Sequence, residues 1–101
     1  MEEFLPLRDR LNLETARISW AELERFFAAG KVIQVAAELD LVAVATHFAE
    51  DNSTPIKGWL QTGQLHMLTD ATAKHWVQTN PQNLWAVVAA PWVLVQERPA
   101  P

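Results

Sequence analysis

Cysteine and tyrosine are both missing from this chain. Without thiols there is no disulfide framework and no thiolate metal site. Serine is nearly as scarce: Ser19 and Ser53 are the only two, and each stands where helix capping accounts for it. With no thiol and no nucleophile-elbow motif, an acyl-transfer triad has nothing to be built from. Glycine occurs three times, at Gly30, Gly58 and Gly63. None of these belongs to a glycine-rich loop before a helix, which removes the usual phosphate cradle. The basic residues are Arg8, Arg10, Arg17, Arg25, Lys31, Lys57, Lys74 and Arg98, scattered singly in a chain of formal net charge −4. No basic stripe results, so a nucleic-acid partner is not expected. No apolar run reaches the roughly 20 residues of a membrane helix, so membrane insertion is not expected either. The opening MEEFLPLRDR carries no apolar signal core, which implies a cytoplasmic protein.

What is present is apolar. Half of the 101 residues are hydrophobic and a fifth are charged, the balance of one globular domain spanning 1–101, with an ordered core over about 11–97. Leu84 to Gln96, LWAVVAAPWVLVQ, is the longest nearly unbroken apolar run. Its β-branched residues (Val87, Val88, Val93, Val95) read as strand buried on both faces. Ala89-Ala90-Pro91 reads as a bend within one long strand, with a tight hairpin reversal as the alternative. Five tryptophans stand out: Trp20, Trp59, Trp76, Trp85 and Trp92. Trp is large and carries an N–H that wants a partner, so either all five build the core or one or two lie at an interface.

Along the chain, Pro6 limits any early helix and residues 1–12 are expected to fray. Leu13, Ala16, Trp20, Leu23 and Phe27 recur at helical spacing. Ser19-Trp20-Ala21-Glu22 has the form of a capping box, which divides a short helix ending near Ile18 from a stronger one over 20–29. Gly30 closes that second helix. A strand over 31–36 follows, then a nearly all-apolar helix over 38–50, whose girth is buried in the domain or against another subunit. Thr54 or Ser53 caps a helix ending at Gly63. A strand over 65–68 leads to a helix capped by Thr69 or Asp70, and Asn80-Pro81 ends it. The tail 97–101 cannot easily extend a sheet. Aligning Gly30 with Gly63 pairs Phe27 with Leu60, Val32 with Leu65, Val35 with Leu68 and Val44 with Val77. That offset suggests either a helix–strand–helix duplication or merely common local grammar. The fold expected is α+β: a small sheet of short strands centred on the C-terminal strand and packed with four to five helices.

Chemistry is sparse. His47 and Asp51, four apart, could share a helix face as a metal pair, and His66 and His75 could converge. Neither spacing is distinctive, and no metal, cofactor or catalytic residue is assigned. Glu38, Asp40, Glu50 and Asp51 bracket the apolar helix, where dipole and solvation explain them without acid–base work.

Three phrases, LNLETARISWAELERFFAAGKVIQVA, ELDLVAVA and LWAVVAAPWVLVQE, resemble in combination a small bacterial family catalogued as domain of unknown function 2288. The resemblance covers about Leu11 to Glu97 and implies a self-contained bacterial domain, with no activity and no site residues to carry over. The reading that follows is a protein-binding or regulatory module, either a homo-oligomer (dimer) or bound to a protein partner. It would act through an apolar, Trp-containing surface anchored by Leu41, Phe48, Trp59 and Trp76, and an enzyme is the less favoured class. The alternative is a small-molecule binder or minor enzyme with a pocket lined by His66, His75 and a Trp.

Overall fold

The computed structural model describes residues 5–99. Its elements, in order, are Leu7–Glu14 (α1), Ala16–Arg17 (β1), Trp20–Ala28 (α2), Val32–Val35 (β2), Leu41–Ala49 (α3), Ser53–Thr62 (α4), Leu65–Met67 (β3), Asp70–Thr79 (α5), Leu84–Ala89 (β4) and Trp92–Glu97 (β5). The strands form one mixed sheet in the order β1-β4-β5-β2-β3. Among the described strands, only β2 and β5 are parallel neighbours. The fold is α+β, with the C-terminal strand in the middle of the sheet. The fraying expected at residues 1–4 and the end of the expected tail, residues 100–101, lie outside the described residues.

The long apolar run is not one bent strand. It reverses at Ala90-Pro91, and β4 and β5 pair antiparallel from Leu84 opposite Glu97 to Ala89 opposite Trp92. The physical reason is local. Pro91 has no N–H to give to a ladder, so the chain turns where pairing would otherwise be lost, and both halves of the run gain a partner.

The first helix also differs from expectation. Pro6 does not block it but stands at its N-cap, with α1 starting directly behind, a place where a missing N–H costs nothing. The helix expected to run on to about Ile18 instead ends at Glu14. Ala16 and Arg17 pair with Ala86 and Trp85, and the Ile18 amide donates to the Leu84 carbonyl at 3.0 Å. Pairing with β4 here overrides the helical spacing. Leu13, which opened that spacing, is 72% exposed, and Leu11 is the buried residue of α1.

Side-chain alternation then gives the sheet two apolar faces. Ile33, Val35, Val87, Ala89 and Leu94 meet α1 and α3 through Leu11, Leu41, Val44 and Ala45, and the partly buried Ile56 and Trp59 of α4 pack against them. Val32, Leu84, Ala86, Val93 and Val95 meet α2 and α5 through Trp20, Leu23, Ala73 and Trp76. The caps of α2 and α5 stand where the sequence places them, whereas the helix expected from Glu38 starts at Leu41, because Asp40 serves as its N-cap and not as a first-turn charge. Ser19 and Glu22 form a reciprocal capping box, Asp40 accepts from the Val42 and Ala43 amides, and Thr69 accepts from Thr72. The exception is α4, which is preceded by Asn52 with no side-chain cap bond.

Strand directions show the internal symmetry in a different phase from the one expected. Since β1 and β2 run one way and β3 and β4 the other, β1-α2-β2 and β3-α5-β4 are each parallel crossovers with their helices on the same face. A two-fold axis normal to the sheet, passing through β5, exchanges them. The matching positions are Ile18 with Leu68, Ser19 with Thr69 as N-caps, and Gly30 with Asn80 in left-handed backbone. The helix–strand–helix alignment on Gly30 and Gly63 fails because it would exchange α2 with α4, which cover opposite faces.

Candidate functional site

The outer flank of α2 carries a run of hollows that share residues. One end is polar and is lined by Arg17, Ser19, Glu22, Pro81 and Gln82. Ile18, Ala21 and Phe26 continue it. The other end is an apolar hollow of about 370 Å³ between the end of α2 and the tip of the β4–β5 hairpin, lined by Arg25, Phe26, Ala29, Lys31, Val88, Ala90, Pro91 and Val93.

Local sequence explains how the hollow forms. The capping box fixes where α2 begins, and its apolar face turns Trp20 and Leu23 into the core. Phe26 is thereby left half-buried at the margin. The helix ends at Ala28, and at the hairpin tip Val88 is left open while its partner Val93 stays buried. Val88 points to the α2 face in step with Leu84 and Ala86, yet it is 57% exposed while they are buried. Both charged residues at the rim are cations. The Arg25 guanidinium carbon lies 4.7 Å from the centroid of the Phe26 ring, a geometry that holds the charge over the apolar floor. Lys31 lines the same hollow, and among the described residues no carboxylate lines this end. The arrangement is an apolar floor with a positive rim on a chain whose net charge is −4.

The residues expected at an interface are distributed differently. Leu41 and Trp76 are 1% and 0% exposed, inside this chain's own two cores. Neither side chain presents surface in the fold, because α3 and α5 lie flat on the sheet. Phe48 and Trp59 are half-buried against the core on the α3 face. Trp59 tilts against His47 with ring centroids 5.6 Å apart. No tryptophan is exposed: Trp20 and Trp76 are buried, and Trp59, Trp85 and Trp92 are half-buried. The indole N–H groups of Trp20 and Trp76 find no hydrogen-bond partner in the described residues.

The histidines do not converge on a pocket. His66 and His75 are both exposed, and neither lines any of the hollows described here. His47 and Asp51 do line one hollow, at the corner between α3 and α4. There, Asn52 Nδ2 lies 3.2 Å from His47 Nδ1. Among the described residues, no third ligand-type side chain joins them to make a metal cluster. No described helix is long and apolar enough to cross a membrane.

A second polar site lies at the other end of the sheet. Asp40 Oδ2 accepts from Arg8 Nη2 at 2.6 Å, and its Oδ1 caps α3. The Arg8 hydrogen bond chiefly, with the Ala43 and Val42 amides, holds the Asp40 carboxyl below its usual range despite an opposing effect of partial burial. Beside it, Gln96, 2% exposed, donates to the Ala36 and Leu39 carbonyls at 2.9 and 2.7 Å and accepts from Arg98 Nε. Arg98 in turn lies over the Trp85 ring. Every group in this network is paired, so it reads as structural.

Nothing in the sequence marks Arg25, Phe26, Lys31 and Val88 as one surface site. Val88 sits in a strand whose composition says buried on both faces. The signal that would have found it is the length of β1, which composition does not carry.

Comparison with known proteins adds two findings. The family model described as "Protein of unknown function (DUF2288)" matches residues 6–97. The chain is similar to PA1075 from Pseudomonas aeruginosa, whose NMR solution structure has 46% sequence identity and a TM-score of 0.81, over 98% of this chain and 91% of that one. No curated protein matches the chain.

Proposed function

The chain belongs to the DUF2288 family, whose description assigns no function, and we propose that it is a protein-binding module working through the apolar hollow beside the β4–β5 hairpin tip. The observation that carries this reading is Val88. It is a β-branched residue in a strand that is otherwise almost wholly buried, and it is left 57% exposed on the floor of a concave surface. Scattered exposed apolar residues are ordinary, but an apolar floor with a charged rim is the anatomy of an interface. The partner surface is therefore at the Phe26 and Val88 end of the molecule, in place of Leu41 and Trp76. A second copy of this chain and an unrelated protein are both admissible partners.

Native purification of tagged protein from the cell that makes it, beside light scattering of the pure chain, tests the reading. A stoichiometric partner or a dimer is expected with the natural chain. Val88→Glu should abolish it while leaving the melting temperature within a few degrees, since the side chain already faces water. A solitary monomer, or a partner retained by Val88→Glu, would overturn it.

A further inference from the structure

The hollow adjoins an open piece of sheet edge, and the register shows which backbone groups are free there. The two-residue reversal makes Ala89 and Trp92 a hydrogen-bonded pair, and such pairs alternate along an antiparallel ladder. The N–H and C=O of Leu84, Ala86 and Val88 therefore point away from β5. Two observed bonds agree with that phase. The Val93 amide donates to Lys31 on its far side at 2.8 Å, and the Leu84 carbonyl accepts from Ile18. On the outer edge of β4, Ile18 and β1 serve Leu84 and Ala86, and β1 stops at Ala16 opposite Ala86. The chain then leaves the edge: the Thr15 amide turns back to Asn12 at the end of α1. No described group is hydrogen-bonded to the outward N–H and C=O of Val88.

We propose that an extended segment of a partner protein adds to β4 at Val88, prolonging the line of β1. It would set an apolar side chain into the hollow, with a carboxylate two positions away on the same face. This rests on the docking reading above and specifies its mode and its ligand. The free N–H and C=O of Val88 call for a strand backbone, which is how open edges recruit peptides. A strand residue opposite Val88 places its side chain on the same face as Val88, against Phe26. Arg25 and Lys31, with no carboxylate among the described residues lining the hollow, select an acidic neighbour for it. The edge is short, so an isolated seven-residue segment should bind weakly, with a Kd on the order of 10–100 µM, while the intact partner gains the rest of its affinity from the surface around the hollow.

The test is selection of random seven-residue peptides displayed on phage against the full chain. Synthetic copies of the winners are then titrated into isotope-labelled protein and followed by NMR. Winners should pair an apolar with an acidic residue two positions apart, and binding should slow hydrogen exchange at the Val88 amide. Blocking the pairing amide of the peptide by N-methylation should weaken it about tenfold, the loss of one interfacial hydrogen bond. Lys31→Glu should weaken it about three- to tenfold, and added salt should weaken it too. Val88→Thr, which trims the apolar contact and keeps the edge, should bind less tightly yet still show the protected amide.

Other results separate the two proposals. Winners that fill the hollow but are indifferent to N-methylation, or that are basic, overturn strand addition and leave the docking reading standing. Protection of the Val88 amide that grows with protein concentration in the free chain overturns the acidic peptide in favour of a second copy. No winner at all, or winners that perturb only residues away from Phe26 and Val88, overturns both.

Discussion

The single buried polar side chain among the described core residues, Gln96, joins β5 to the turn before α3. Its amide nitrogen satisfies two backbone carbonyls that lie between β2 and α3, where no ladder could reach them. Replacing it by Leu keeps the volume but orphans the Leu39 carbonyl and the Arg98 Nε donor, and leaves the Ala36 carbonyl only its bond from the Leu39 amide. Gln96→Leu should therefore cost about 2 kcal/mol in urea unfolding, and a cost near zero would mean that water serves those carbonyls equally well. Asp40, a few residues away, gives the pH dependence. Its carboxyl titrates lower in the folded chain than in the unfolded one, so its contribution is fully present above the ordinary carboxylate range and is lost as pH falls through the folded value. More than half of each partner's side chain is exposed, so the effect is small. Arg8→Ala should raise the Asp40 titration midpoint seen by NMR and shift acid unfolding to slightly higher pH. An unmoved midpoint would show that the α3 amides alone hold it down.

At the scale of elements, what was legible was whatever is written in neighbouring residues. Ser19 with Glu22, Thr69 and Gly63 mark helix ends by chemistry that needs no tertiary context. The short β1 was not legible, because it is decided by which strand lies alongside; Pro91 and Pro6 each allow two local readings, bend or reversal and helix stop or N-cap, and composition does not choose between them. The glycines of α4 give a sharp check on this local reading. Gly63 ends α4 at φ 81°, and Gly58 sits inside the helix; a Cβ added at either meets nothing within 4 Å. Space being equal, backbone conformation alone decides. Gly63→Ala should destabilise by about 1 kcal/mol because a Cβ resists left-handed backbone. Gly58→Ala should stabilise by about 0.5–1 kcal/mol by removing freedom from the unfolded chain. Thermal melts of the two single variants should move in opposite directions, and movement in the same direction would contradict the placement of the α4 terminus.

For the whole molecule, the strand order settles what the apolar run only suggested. Leu84 to Gln96 reads as the centre of the fold and is the centre, but as two strands, which leaves one of them near an edge that composition cannot reveal. The sites followed the same division. Leu41 and Trp76 look like anchors because they are large and apolar, and the fold uses them for core. Val88 looks like core, and the fold leaves it at the surface. Hydrogen exchange across the sheet reads this arrangement directly. Amides of β2 and β5 that pair with strands on either side and lie under helices on both faces should exchange slowest, through near-global opening. Along β4 the rate should alternate: Val87 and Ala89, whose amides face β5, should be slow, while Val88 faces past the end of β1 and should be fast. In the free chain at low concentration, a Val88 amide as slow as that of Val93 would mean that the edge is already paired. The surface offered to a partner would then have to lie elsewhere.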